Sequence, residues 1–446
     1  MNIKKRLLQH KPGILTGSLL LIFILTSCSS LKRTNNQIDA SLEASPVFQQ
    51  GFAGLAVYDP ETNKMLYEYN SGKYFTPASN TKLFTFYTGL KILGDSVPAL
   101  KFTKVNDSLI FKGTGDPSFL NPDLPESGVI EFLANAKEDL YYLKPVYNEK
   151  YFGPGWSWDD YNAYYSVERS AMPIYGNRVD FSFKRSGEIP EIRPELFRDS
   201  IVLPEDTETA PGVRRAISKN SFKISNHNKE EEFSRSVPFK TSDELLVSLI
   251  EDSIHKDIQI ISKIPTGIAL DQTLYSIPTD SLYKRMLEKS DNFIAEQILL
   301  MAAGKVSDTL KTRIAIDYMK ENHLKDLPDK PVWVDGSGLS RYNLFTPRTM
   351  VKLLEKIKKE VPQERLFGMM ATGGKSGTLE NYYKADVPYI FAKTGTLSNN
   401  HSLSGLLKTK SGKILIFSFM NSNYTIPTSA LKDGMENILK IIRDNY

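Results

Sequence analysis

Strand-like segments lie near the two ends of this 446-residue chain, and a long middle region of different character separates them. Near the N-terminus, apolar and aromatic residues fill 52–58 and 64–69, and a turn at 59–63 joins the two runs. Three similar runs near the C-terminus occupy 389–393, 404–408 and 413–420. Two strands at the start and three at the end predict one antiparallel five-stranded sheet flanked by helices, an α/β (α+β) fold.

The residues between these runs predict a helix and an insertion. Thr76 and Pro77 favour a helix start, because Thr caps helices well and Pro suits the first helical position. Residues 98–270 are richer in turns, aromatic residues and short strand-like runs, and they predict an inserted β-rich region of one or two subdomains. The domain that contains the sheet then consists of 48–97 and 271–446.

The N-terminus carries an export signal. Lys4, Lys5 and Arg6 form a positive n-region. The uncharged apolar stretch at 14–25 that follows is too short for a typical membrane span and predicts a signal peptide over 1–27. The stretch ends in Leu-Thr-Ser-Cys, which resembles the lipobox of bacterial lipoproteins and makes Cys28, the only cysteine, the predicted lipidation site. An ordinary secretory signal or an uncleaved anchor is the alternative. Residues 28–47 are predicted to form a polar tether to a periplasm-facing body.

The basic residues in excess are concentrated at the N-terminus. The formal net charge is +4, and residues 1–27 hold four basic residues and no acidic one. The rest of the chain is therefore balanced, and its net charge gives no support for nucleic-acid binding.

One Ser-x-x-Lys motif is placed for nucleophilic chemistry. The pattern occurs five times, but only Ser79 lies in the first turn of a strongly predicted helix. Lys82 falls on the same helix face, about 5–6 Å away at Cβ. A serine hydroxyl needs a base, and a lysine can be that base if burial or a nearby cation lowers its pKa. The alternative is a helix-terminal serine beside a solvated lysine.

A second polar motif precedes an apolar, helix-like run at 293–300. Ser290 and Asn292 would lie on a loop or first helical turn and direct polar atoms into a site. The alternative is a helix cap, a role that Ser and Asp fill well.

The tripeptide Lys393-Thr394-Gly395, followed by Thr396, ends the predicted strand that begins at residue 389. A cation on an edge strand can bind a substrate carboxylate, and glycine permits close approach of the backbone. The alternative is a strand that ends in a glycine turn.

The three motifs in this order resemble those of penicillin-binding proteins and class A β-lactamases. The 211-residue separation of Ser79 and Ser290 is similar to the large insertion of low-molecular-mass class C penicillin-binding proteins, which are D-Ala-D-Ala carboxypeptidases with endopeptidase activity. Further segments similar to that family are 75–82, 113–117, 153–160, 335–343 and 377–379.

The resemblance implies a transpeptidase/β-lactamase-like domain that cleaves peptidoglycan stem peptides and is inhibited covalently by β-lactam antibiotics. Ser79 would attack the carbonyl of the penultimate D-Ala and form an acyl-enzyme. Lys82 would act as general base, although the family leaves open which lysine takes the proton, and Ser290 would relay a proton to the leaving amine.

The resemblance also assigns substrate-binding roles. Asn292 would bind the amide side of the substrate, while Lys393 and Thr394, with Gly395 and Thr396 beside them, would hold the terminal carboxylate. The backbone N–H groups at 79 and 396 would form an oxyanion hole.

Two other groups of residues have open roles. Asp159 and Asp160 lie in an aromatic-rich segment and could meet the ammonium of a diamino acid, or they could belong to a packed aromatic cluster. Asp335 begins an Asp-Gly-Ser-Gly sequence that favours a turn beneath the site over direct substrate contact.

Three functional alternatives remain at this point: a DD-peptidase, a non-catalytic peptidoglycan-binding lipoprotein, and a serine β-lactamase or esterase of the same fold. No Glu-x-x-x-Asn motif, which class A β-lactamases use for deacylation, occurs between 293 and 393. The balance between carboxypeptidase and endopeptidase activity is left open. The histidines lack metal-ligand spacing and no phosphate or dinucleotide motif occurs, so no cofactor is expected.

Overall fold

A computed structural model describes residues 31–147, 149–183, 190–202, 212–225 and 232–446. Cys28 and the predicted signal peptide lie outside these residues.

The strands of the described residues, in chain order, are β1 (Phe52–Asp59), β2 (Lys64–Tyr69), β3 (Ser96–Val105), β4 (Ser108–Gly113), β5 (Asp139–Leu143), β6 (Arg178–Phe183), β7 (Glu191–Arg193), β8 (Ile201–Val202), β9 (Gly212–Arg215), β10 (Phe222–Ser225), β11 (Phe233–Pro238), β12 (Ile258–Ile261), β13 (Gln272–Pro278), β14 (Ala371–Thr372), β15 (Ile390–Leu397), β16 (Asn400–Lys408) and β17 (Ile414–Ser422).

The α-helices are α1 (31–44), α2 (Pro46–Gln49), α3 (Lys82–Ile92), α4 (Val129–Ala134), α5 (Asp243–Ile254), α6 (Thr279–Glu288), α7 (Asn292–Ser307), α8 (Thr312–Asn322), α9 (Pro347–Glu360), α10 (Gln363–Met369) and α11 (Thr428–Asn445). Short 3₁₀ helices are found at Ala78–Thr81, Trp158–Asn162, Tyr175–Asn177, Glu195–Ser200 and Gly377–Leu379.

Both ends of the described chain build one antiparallel sheet in the order β14-β15-β16-β17-β1-β2. The mixed α/β fold is therefore as predicted, but the sheet has six strands and the predicted number of five is wrong. The additional strand β14 pairs through only two residues, Ala371 with Ala392 and Thr372 with Phe391. Two residues are too few to produce an alternating sequence pattern.

The six-stranded sheet separates two apolar layers. Successive residues of a strand point to opposite faces, so Leu55 and Val57 pack with helices α1 and α11, whereas Ala56 packs with the helices on the other face. That second layer is formed chiefly by α3, α6, α7, α8 and α9. Helix α7 is buried along most of its length, including its polar residues Glu296 and Gln297.

The predicted tether at 28–47 is wrong for its described part, because residues 31–44 are helical. Ile38 and Leu42 are fully buried against the sheet. Tyr67 donates a hydrogen bond to Asp39 Oδ1 at 2.5 Å, and Asn35 donates to the Leu66 carbonyl at 3.1 Å. The polar residues that suggested a linker form the exposed face of an amphipathic helix.

The insertion leaves and rejoins this domain through neighbouring antiparallel strands, β3 and β13. Its mixed sheet, in the order β12-β5-β4-β3-β13, extends beyond the predicted bounds of 98–270, because β3 begins at Ser96 and β13 ends at Pro278. Two three-stranded sheets, β11-β6-β7 and β8-β10-β9, complete this region. One hydrophobic cluster runs through these sheets and includes Phe111, Phe181, Phe222 and Ile250. Within the described residues, no helix has the length and apolar character needed to cross a membrane.

Candidate active site

Ser79 lies on a tight turn between the sheet and helix α3. The turn is a 3₁₀ helix, Ala78–Thr81, that runs directly into α3, so Lys82 is the first α-helical residue. Thr76 does not cap this helix as predicted, because no side chain caps the turn and Pro77 precedes it. Ala78 has a left-handed backbone with φ of 48°, a strained conformation often found at functional sites.

Two glycines make room for this turn. A Cβ atom at Gly338 would lie 1.9 Å from the Ala78 carbonyl oxygen, and one at Gly395 would lie 2.4 Å from the Pro77 carbonyl oxygen and 2.9 Å from Ser79 N. Because side chains would clash at both positions, glycine lets β15 and the 335–340 loop approach the nucleophile from two sides.

Lys82 is fully buried and is surrounded by hydrogen-bond acceptors. Its Nζ lies 2.8 Å from Ser79 Oγ, 2.6 Å from Asn292 Oδ1 and 2.7 Å from the Ser337 carbonyl oxygen. The ammonium form has three N–H donors, and all three have a partner. Burial lowers the pKa of Lys82 to about 8, although the carboxylates of Asp335, Asp291 and Glu296 oppose that shift.

Ser290 and Asn292 lie at the start of helix α7. Asp291 caps this helix by accepting a hydrogen bond from Ile294 N at 3.0 Å, and Ser290 precedes it with a φ of 64°. Asn292 accepts from Lys82 through Oδ1 and donates from Nδ2 to the Tyr165 carbonyl at 2.9 Å. The motif therefore has both predicted roles: Asp291 caps the helix, and Ser290 and Asn292 belong to the site.

The third motif lies on strand β15. Lys393 is fully buried, and its Nζ donates to Ser290 Oγ at 2.9 Å and to the Thr394 carbonyl at 2.8 Å. Burial, and to a smaller degree the charge of Lys82, lower the pKa of Lys393 well below its usual range. The two lysines and two serines thus form two adjacent pairs, 82 with 79 and 393 with 290.

Polar neighbours orient the two threonines of this motif. Thr394 donates a hydrogen bond to Thr378 Oγ1 at 2.7 Å. Thr396 is exposed to the cleft, and its hydroxyl lies 2.8 Å from Nδ1 of the buried His401. Burial lowers the pKa of His401 to about 3, so this imidazole is neutral.

The outer edge of β15 is open where the motif lies. Strand β14 pairs only with Phe391 and Ala392, and residues 393–397 have β16 as their one strand partner among the described residues. An extended peptide could therefore add to this edge beside Ser79.

These groups line one wall of a cleft of about 760 Å³, and the insertion forms the other. Residues lining it from the sheet-containing domain include Ser79, Ser290, Asn292, Thr378 and Thr396. Asp159, Asp160, Tyr164 and Tyr165 line it from the insertion. All the predicted site residues except Cys28 thus lie in or beside one cleft.

Asp335 shapes the loop beneath the site, as its sequence favours. Its carboxylate is buried and accepts hydrogen bonds from Gly338 N at 2.9 Å and Ser340 N at 2.7 Å. Trp156 of the insertion donates to the same carboxylate at 2.9 Å.

Several residues that complete the site belong to no motif with an assigned role. Glu296 is hidden in the apolar run of α7, and Arg169 and His401 lie in segments with no motif. Thr378 belongs to a recognised segment but had no assigned role. Among the described residues, no group of three or more His, Cys, Asp or Glu side chains is arranged to hold a metal ion.

Comparison with known proteins agrees with this geometry. A model of the D-Ala-D-Ala carboxypeptidase 3 (S13) family matches residues 34–444. The chain belongs to this family. The resemblance drawn from the motifs, the enzyme class and the serine-type D-Ala-D-Ala peptidase function are thereby confirmed.

Individual S13 relatives cover most of the chain. The D-alanyl-D-alanine carboxypeptidase DacB of Haemophilus influenzae is 25% identical over 81% of this chain and 84% of its own length. A D-alanyl-D-alanine carboxypeptidase of Actinomadura sp. is also 25% identical, over 92% of this chain and 85% of its own. The crystal structure of penicillin-binding protein 4 of H. influenzae superposes with a TM-score of 0.73 and 21% identity, covering 91% of this chain and 99% of that one. This likeness confirms the fold.

Proposed function

We propose that this S13 peptidase cleaves the D-Ala-D-Ala bond of peptidoglycan stem peptides through an acyl-enzyme on Ser79. Ser79 Oγ attacks the carbonyl carbon of the penultimate D-Ala, the bond to the terminal residue breaks, and water later hydrolyses the ester. The observation that carries this proposal is the convergence of three distant motifs, with Lys82 2.8 Å from Ser79 and Lys393 2.9 Å from Ser290.

Lys82 is the better placed general base. A neutral amine has two N–H groups and one lone pair, and two of its neighbours, Asn292 Oδ1 and the Ser337 carbonyl, can only accept. Both N–H groups are therefore taken, and the lone pair is directed at the Ser79 hydroxyl. Lys393 bonds to Ser290 instead, so we assign proton relay to the leaving amine to that second pair.

The remaining groups suit substrate binding. The backbone N–H groups of Ser79 and Thr396 would stabilise the oxyanion, where each donor can contribute about 3 kcal/mol. Lys393 and Thr394 would bind the terminal carboxylate, with Gly395 admitting the substrate backbone. Asn292 Nδ2 has two N–H groups, and we assign one to Tyr165 and the other to the substrate amide side.

The insertion supplies a second binding region. Asp159 and Asp160 line the cleft, and the nearby Trp158 and Tyr164 are exposed, which disfavours a packed aromatic cluster. Both carboxylates already accept a hydroxyl hydrogen bond, from Ser157 and Tyr165. We propose that they attract the side-chain ammonium of a diamino acid in the stem peptide.

Location follows from the N-terminal signal. We propose that Cys28 is lipidated and anchors the enzyme to a membrane of the bacterial envelope, with the body in the periplasm. Because residues 31–44 are packed on the body, the anchor would hold the domain close to the bilayer. Cys28→Ser should lose the radioactive label that the wild-type protein takes up from a fatty acid. A wild-type protein that takes up no label would exclude the lipid anchor.

Carboxypeptidase and endopeptidase activity both cleave after the same D-Ala carbonyl. They differ only in the leaving group, so two substrates with different leaving groups distinguish them. A stem pentapeptide and a crosslinked stem-peptide dimer, each incubated with the protein and analysed by mass spectrometry, measure the two activities. Cleavage of neither substrate, together with no covalent labelling by a fluorescent penicillin, would contradict the proposed function.

A further inference from the structure

One segment of the insertion contacts the groups that surround Lys82. We call residues 149–169 the aromatic segment. Its Tyr165 carbonyl accepts from Asn292 Nδ2 at 2.9 Å, and its Trp156 donates to Asp335 Oδ2 at 2.9 Å. Its Arg169 donates to Glu296 Oε2 at 3.2 Å. All three partners belong to the sheet-containing domain.

Glu296 holds the residue whose carbonyl contacts Lys82. One oxygen of Glu296 accepts from Gly336 N at 3.0 Å and from Ser337 N at 2.7 Å. The carbonyl of that same Ser337 accepts from Lys82 Nζ at 2.7 Å. Glu296 therefore fixes Gly336 and Ser337, the part of the 335–340 loop that carries the acceptor for Lys82.

Arg169 compensates this buried carboxylate. Arg169 and Glu296 are both only 1% exposed. The guanidinium lies 3.5 Å from Glu149 Oε1, donates to the Lys150 carbonyl at 2.9 Å and stacks 5.6 Å from the Trp156 ring centre. A carboxylate left in this interior without its partner would be strongly disfavoured, so the loop would rearrange or Glu296 would take up a proton.

Loss of the contacts that Glu296 and Arg169 make would change the orientation of the Lys82 amine. If the Ser337 carbonyl shifts, one N–H of neutral Lys82 loses its acceptor, and the amine can rotate. The lone pair is then no longer held toward the Ser79 hydroxyl. A displacement of about 1 Å in such a site can reduce the rate about 100-fold.

We propose that Arg169 and Glu296 are positioning residues for Lys82, through which the aromatic segment of the insertion holds the general base in its reactive orientation. The inference rests on the proposed function, since it takes Lys82 as the base. It assigns to the insertion a part in the chemistry in addition to its place on the cleft wall.

The test compares Glu296→Ala, Glu296→Gln and Arg169→Met with the wild-type protein. The measurement is the second-order rate constant of acylation by a fluorescent penicillin across a wide pH range, together with the thermal midpoint and the fraction of protein labelled at completion. Arg365→Met is the control, because Arg365 also pairs with a carboxylate, donating to Asp280 Oδ1 at 2.6 Å, and both residues lie outside the aromatic segment.

We expect Glu296→Ala and Arg169→Met to lower the rate constant about 100-fold. Arg365→Met should keep the wild-type rate constant. Glu296→Gln keeps an oxygen for Gly336 and Ser337 and should retain more activity than Glu296→Ala.

The pH profile adds a readout that a purely structural role would not change. The charged groups facing Lys82 are Asp335, Asp291, Glu296 and Lys393. Acylation needs the neutral amine and therefore rises with pH. Burial raises the pKa of Glu296 above its usual range. At pH values where Glu296 is ionised, Glu296→Gln removes one negative charge that favours the ammonium, so the rising limb should move to lower pH there.

The outcomes are distinguishable. A wild-type protein that is never labelled would contradict the proposed function itself. A labelled wild type, with all the Glu296 and Arg169 variants keeping its rate constant and its pH profile, would overturn the positioning role. Variants that lose only the fraction labelled, at an unchanged rate constant, would also overturn it, because that loss reports folding alone.

Discussion

The two walls of the cleft differ in the burial of their functional side chains. On the wall formed by the sheet and its helices, Lys82 and Lys393 are fully buried and bonded to fixed partners. On the wall formed by the insertion, Trp158 is 77% exposed and Tyr164 is 68% exposed, beside two carboxylates that line the cleft. Buried amines lose their preference for the charged form and can exchange protons, whereas exposed groups suit recognition of a large substrate.

The largest effect is expected on the acylation rate, from a substitution on the buried wall. Lys82→Ala removes the proposed base, and acylation by penicillin should slow about 10³-fold while the fold survives. Stopped-flow labelling and a thermal midpoint check both parts. Lys91→Ala, on the same helix but in a surface ion pair with Glu360, is the matched control. Wild-type acylation by the Lys82 variant would refute its assignment as base.

A smaller effect separates binding of the carboxylate from catalysis on the same wall. Lys393→Ala should reduce kcat/KM about 10- to 100-fold for a peptide with a free terminal carboxylate, because one charged hydrogen bond is lost. The reduction should be clearly smaller for the amidated peptide. Lys410→Ala alters the lysine of an exposed Lys-Ser-Gly turn and should leave kcat/KM for both peptides unchanged. Equal losses for the two peptides would show that Lys393 does not anchor the carboxylate.

The smallest expected effect lies on the exposed wall. Asp160→Asn should lower kcat/KM about two- to fivefold for a stem peptide with a free side-chain ammonium, since exposed ion pairs contribute little. Acetylation of that amine should remove the difference between variant and wild type. Asp107→Asn, at an exposed turn of the insertion, controls for a general change of charge. A loss that persists with the acetylated peptide would exclude ammonium recognition by Asp160.

The motifs of the buried wall could be found from sequence, but their contacts could not. The bond between Lys82 and Asn292 spans 210 positions, and the bond between Lys393 and Ser290 spans 103. Hydrogen bonds between such distant positions depend on packing of α3, α7 and β15 and leave no local pattern. Only the resemblance to a family predicted that these residues share one site.

Predictions of element boundaries were weakest where polar residues serve the site. Strand β15 continues to Leu397 and strand β16 begins at Asn400, although the predicted runs end at 393 and begin at 404. Polar side chains such as Thr394, Thr396 and His401 interrupt the apolar pattern, because they face the cleft or support it. Helix α1 was missed for a related reason, since its polar face dominates its composition.

The central claim is that Ser79 is the nucleophile of a site assembled from three distant motifs, and mass spectrometry of the benzylpenicillin-treated protein tests it most directly. We expect one added penicilloyl group, located by peptide mapping to the segment that contains Ser79 and absent in Ser79→Ala. A protein that remains unmodified, or an adduct that persists in that variant, would contradict the account.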